Sequence, residues 1–143
     1  MLKIDWNCKL TWKKSIKNTS WCLLGCSIGD FGTIFFFQIT EIAFPILVIM
    51  ILAIINGLLT SISLETIILI RQNFKLKNAV RTALGMSFIS MVSMEIAMNL
   101  TAFIFTGGAV LNWYIVPVML LVGFITPLPY NYYKLKKYNI SCH

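Results

Sequence analysis

Apolar blocks, each long enough to cross a bilayer and separated by short lysine-rich or turn-rich pieces, constrain this chain more than any other feature. A run of about 18 or more apolar residues reads as a membrane-crossing helix. The 143 residues are 58% hydrophobic and only 12% charged, too little charge to cover the surface of a soluble domain. The pattern predicts an all-α integral membrane protein with four crossings in a bundle, over about 21–37, 42–70, 79–105 and 113–133. Residues 1–20 form a basic amino-terminal segment, 21–133 the membrane domain, and 134–143 a carboxyl-terminal tail.

The formal charge of +7 marks orientation rather than a nucleic-acid partner. Five lysines from Lys3 to Lys17 precede the first block, Arg71 to Arg81 separate the second and third, and Lys134, Lys136 and Lys137 follow the fourth. The other two connections carry no lysine or arginine, which is the distribution of an even number of spans with both termini in the cytoplasm. Trp21, Trp113, Tyr130, Tyr132 and Tyr133 fall where interfacial aromatics belong. The localisation predicted is the cytoplasmic (inner) membrane, with the lipid bilayer as principal partner. A lysine-rich start and "LLGC" at 23–26 partly resemble a leader, but no small-residue cleavage site follows the apolar block, so the first helix is expected to be retained.

The stretch "MSFISMVSMEIAMN" places sulfur, hydroxyls and an acid inside the third block. At 100° per residue Ser87, Met91, Met94, Glu95, Met98 and Ala102 share one stripe, whereas Met86, Ser90 and Ser93 point elsewhere. The first block has a comparable face of Cys22, Gly25, Cys26, Gly29 and Thr33 with Asp30 at its border, and the second carries Gly57, Ser61 and Glu65 four apart. Gly25 and Gly29 have the GxxxG spacing that lets helices approach closely, and packing is the expectation for them, for Gly57 and for Ser61.

Intramembrane acids are costly, about 2.5–3.5 kcal/mol each at a helix centre, so Asp30, Glu65 and Glu95 need partners or a task. At 1.5 Å per residue they lie roughly 14, 9 and 18 Å from the cytoplasmic ends of their helices, and all three are expected to face the bundle interior for charge balance or proton coupling. No basic side chain is expected beside them within the membrane.

Copper(I) prefers thiolate and thioether ligands. Met94 and Met98 offer two thioethers one turn apart, Met91 extends the row, Cys22 and Cys26 repeat the spacing, and the tail ends in Cys142 and His143. Ten extended residues reach about 33 Å, far enough to bring that tail to Cys22. These seven residues are the candidate metal ligands. For any one methionine the competing reading is gap-filling in the core. Stable disulfides are not expected, because all four cysteines fall on or near the reducing side. The sole histidine at the chain end disfavours haem, and no phosphate loop or hydrolytic triad points to an enzyme.

The blocks "WCLLGCSIGDFGTI", "GLLTSISLETIILI", "ALGMSFISMVSMEIAMN" and "PLPYNYYKLKKYNISCH" resemble the small bacterial membrane proteins grouped as domain of unknown function 4396. The resemblance covers nearly everything after Ser20; it implies a four-helix membrane domain and no settled activity. By analogy alone, the MxxxM pair, the GxxxG motif and the Cys-His end are similar to those of eukaryotic copper-uptake channels. This chain departs from them in its four expected spans, in the helix that carries GxxxG, and in lacking a methionine-rich outer domain.

The leading expectation is a membrane protein that binds a soft metal ion, copper(I) foremost, and translocates it or hands it to a metal-handling partner or a second copy. The competing classes are a small proton-coupled cation or drug exporter, and an accessory subunit of a larger membrane complex.

Overall fold

The structure is a computed structural model that describes residues 8–71, 73 and 75–137, with the side chains at 82, 83, 86 and 87 outside the description. Among the described residues five helices follow in order: α1 (Lys9–Thr40), α2 (Ile46–Arg71), α3 (Leu76–Thr106), α4 (Val116–Ile125) and α5 (Leu128–Lys137). Helices suit such a chain because lipid offers no hydrogen bonds, and a helix satisfies its backbone within the segment.

Three helices, α1, α2 and the Phe88–Thr106 part of α3, are long and apolar enough to cross a bilayer. The protein is therefore a multi-pass membrane protein by helix length and hydropathy. The region of the expected fourth span, 113–133, is not one continuous helix and instead holds α4 and the start of α5, ten-residue helices each. Pro127 causes the break, since it has no N–H to donate and its ring opposes the carbonyl one turn earlier. Ten residues rise only about 15 Å, half a hydrocarbon core. Both halves pack on α1 and α3. Leu111 N–H, just before α4, donates to Gln38 Oε1 near the end of α1 (3.1 Å). Lys134 in α5 donates to the Gly85 carbonyl near the start of α3 (3.0 Å).

The first helix begins twelve residues before the expected position 21, taking up most of what read as a separate basic segment. The cause is a tertiary contact. Trp12 packs on Tyr132 at 4.6 Å between ring centroids, Ser15 Oγ donates to the Leu128 carbonyl at 3.3 Å, and Asn131 Nδ2 donates to Thr19 Oγ1 at 2.8 Å. These contacts gather the lysine-bearing start of α1, the start of α3 and α5 at one end. The opposite end is closed by Phe37 against Phe44.

Polarity runs inward. The buried residues of α1 include Thr11, Ser15, Thr19, Cys22, Gly25, Cys26, Gly29, Asp30 and Thr33, while Leu24, Ile28, Phe35, Phe36 and Ile39 are exposed. Apolar surface outward costs nothing in lipid, and small residues inward let helices close on one another. Gly25 and Gly29 do this against α2: a Cβ on Gly25 would lie 2.6 Å from Ser61 Cα, and one on Gly29 would collide with the Asn56 carbonyl oxygen. The close approach allows Thr60 Oγ1 to donate to the Gly25 carbonyl (2.6 Å) and Asn56 Nδ2 to Thr33 Oγ1 (2.9 Å).

Candidate functional site

Helical spacing puts Met91, Met94 and Met98 on one face of α3. In the bundle that face meets α1 and α4. Cys22, Cys26, Met91, Met94, Met98 and Met119 form one buried cluster, closed at its edges by Ala102 and Ile115. Cys26 and the four methionines are fully buried, and Cys22 is 2% exposed. Cys22 and Cys26 are free thiols. Cys22 Sγ lies 3.5 Å from Ser61 Oγ, which also donates to the Cys22 carbonyl at 3.3 Å. Cys26 sits beside both Cys22 and Ser61. Cys8 departs from the expectation of no disulfides: placed at the cap of α1, outside this core, it is disulfide-bonded.

The acids divide. Asp30 and Glu95 are fully buried and close to each other, and Glu95 also lies against Cys26 and Cys22. Asn99, one turn beyond Glu95, donates from Nδ2 to Asp30 Oδ1 at 2.9 Å and to the Glu95 carbonyl at 3.1 Å. Among the described residues, Asp30 Oδ2, both Glu95 carboxyl oxygens and Asn99 Oδ1 find no hydrogen-bond partner and are buried. A buried charge with no partner is expensive, so these oxygens call for a proton or a cation. Glu65 does not join them. It is half-buried and shares a small cavity with Cys22, Ser90 and Lys134. Lys134, which follows the fourth apolar block, is carried by α5 to the same cavity as Glu65.

Gly57 makes room for the acid: a Cβ there would run into the Glu95 carboxyl group. Because the obstacle is the end of a side chain rather than backbone, Gly57→Ala is expected to displace Glu95 more than it separates helices. The carboxyl C=O infrared band of Glu95 should shift in Gly57→Ala, with less lost stability than in Gly29→Ala; an unchanged band would refute the contact.

Sequence reasoning overlooked Met119, Gly123, Asn99 and Ser90. Gly123 packs directly on Met98, whose Sδ would lie 2.7 Å from a Cβ placed there. Ser90, expected to point away, is 1% exposed. The stripe drawn on α3 was too narrow because α3 is covered by neighbours on two sides, which buries more than 100° of its surface. The i+4 relations of Ser90 with Met94, Glu95 with Asn99 and Met119 with Gly123 were signals available to find them. Cys142 and His143 lie outside the described residues.

Among the described residues, no group of three or more histidine, cysteine, aspartate or glutamate side chains is placed to hold one metal ion. An ion in this core would have to take ligands from the thioethers as well as the thiols.

A family model described as domain of unknown function (DUF4396) matches residues 11–139. No curated protein and no solved structure matches the chain.

Proposed function

The chain belongs to the DUF4396 family, and for it we propose a membrane-embedded centre for a soft monovalent cation, copper(I) foremost, which the protein moves across the bilayer or hands to a partner. One observation carries this reading: two free thiols, four buried thioethers and a partnerless buried carboxyl group belong to one core. Sulfur of both kinds suits copper(I), whereas harder ions favour oxygen donors. Met98, Met94 and Met91 receive and pass the ion, Cys22 and Cys26 bind it more tightly once a thiolate forms, and Glu95 and Asp30 balance its charge. The polypeptide crosses the cytoplasmic membrane four times, the last time through the broken pair α4–α5. The positive-inside rule places the lysine-bearing end, and both termini, in the cytoplasm.

The orphaned oxygens of Asp30, Glu95 and Asn99 favour a second reading, a proton-exchange site driving export of a cation or drug. Anaerobic copper(I) titration of purified protein separates the two. The expected result is near-stoichiometric binding that is lost in Cys22→Ser/Cys26→Ser. No binding by the parent, together with a proton flux abolished by Glu95→Gln, would establish the second reading instead.

A further inference from the structure

Where α1, α2, α3 and α5 meet, a cavity of about 20 Å³ lies between Asn18, Cys22, Glu65, Ser90, Asn131 and Lys134. Ser90 is 1% exposed, and its hydroxyl has no hydrogen-bond partner among the described residues. A water needs roughly 10–15 Å³ of this kind of space and two to four polar partners, and the lining supplies both. We infer that this cavity is a one-water port that gives the Cys22 thiol, and through it the buried acids, contact with water at the lysine-bearing end of the bundle.

A water against Ser90 and Glu65 would sit beside the Cys22 thiol, which is one of the cavity walls. From there the contacts run through Ser61 and Cys26 to Glu95, whose carboxyl group lies near Asp30. Polar side chains thus lead from the cavity to the buried acids, beside a sulfur cluster on which Leu23, Phe31, Leu58 and Ile62 pack. Glu65 and Lys134 face the port from opposite helices, α2 and α5, so its mouth carries one acid and one base. This explains why Glu65 stands apart from the other two acids: it belongs to the entrance rather than to the centre. The port deepens the proposed reading of the thiol centre and rests on it only for what it would admit beyond water and protons.

The test is S–H to S–D exchange of metal-free protein after transfer to heavy water, followed by the thiol stretching bands in the infrared. Cys22→Ser and Cys26→Ser assign the bands. The Cys22 band is expected to exchange at least about tenfold faster than that of Cys26. Ser90→Leu, which fills the cavity, is expected to slow Cys22 about tenfold, and Asn18→Leu, which covers the rim from an exposed position, to slow it as well. A Ser90→Leu chain that merely unfolds would be recognised by faster exchange at Cys26, and Asn18→Leu then decides. Exchange at Cys22 no faster than at Cys26, or unchanged by both leucine variants, would overturn the port. Because no metal is present, this outcome is independent of the copper titration.

Discussion

Replacing Met94 and Met98 together by leucine is expected to weaken copper(I) binding at least about 100-fold, equivalent to about 2.8 kcal/mol, while the protein stays folded. The separation of the two effects is the point of the substitution. Leucine and methionine differ little in volume, and such exchanges in a core cost less than about 1.5 kcal/mol each. Both residues are fully buried, so a loss of binding cannot come from an altered surface. Gly123 gives Met98 its space, and a shorter leucine fits the same room. What disappears is the thioether, the donor type that suits copper(I) but not a harder ion. Competition titration against a copper(I) chelator under anaerobic conditions measures the change, and unfolding in mixed detergent verifies the fold. Unchanged affinity in a folded double variant would reduce both methionines to gap-fillers and remove the basis of the proposed function.

Gly29→Ala is expected to be the most damaging single methyl addition in the bundle, costing about 1–3 kcal/mol by the usual scale for overpacked cores. The added Cβ would meet the Asn56 carbonyl oxygen and carbon and the Thr60 hydroxyl. Backbone cannot rotate aside as a side chain can, so α1 and α2 must separate. Separation also stretches the bonds from Asn56 to Thr33 and from Thr60 to the Gly25 carbonyl. Gly32 is the internal control, since nothing lies within 4 Å of a Cβ there. Gly32→Ala should be neutral or slightly stabilising, because alanine loses less backbone freedom than glycine in a helix. Equal losses in the two variants, measured by unfolding in mixed detergent, would show that helix propensity rather than the α1–α2 contact governs these positions.

The GxxxG spacing singled out Gly29 without any structure, but only the α1–α2 contact distinguishes it from Gly32, three residues along. The same holds for the sulfur. Periodicity assigned Met91, Met94 and Met98 to one face, yet Met119 comes from the fourth apolar block, where no site residue is expected. Glu65 shows the converse. Its place four residues after Ser61 and eight after Gly57 suggested one inward stripe with them, but Ser61 meets Cys22 and Gly57 meets Glu95, while Glu65 stands at a cavity with Ser90 and Lys134.

By itself the sequence determined the solvent and the material: apolar blocks that demand lipid, basic residues confined to alternate connections, and the identity of every thiol, thioether and acid. Tertiary structure alone decided the meetings. It brought Cys22 and Cys26 against the methionine face, set Glu95 near Asp30, bonded Asn99 to Asp30, and drew the start of α1 onto α5. The reason is geometric. Helical periodicity is local and tells which residues share a face, whereas which faces meet depends on contacts between distant segments. In lipid, moreover, apolar residues cover the outward surfaces, so hydrophobicity does not point to the core as it does in water. What marks the inside of this bundle is small size and polarity, and those become legible as a site only when the helices are set side by side.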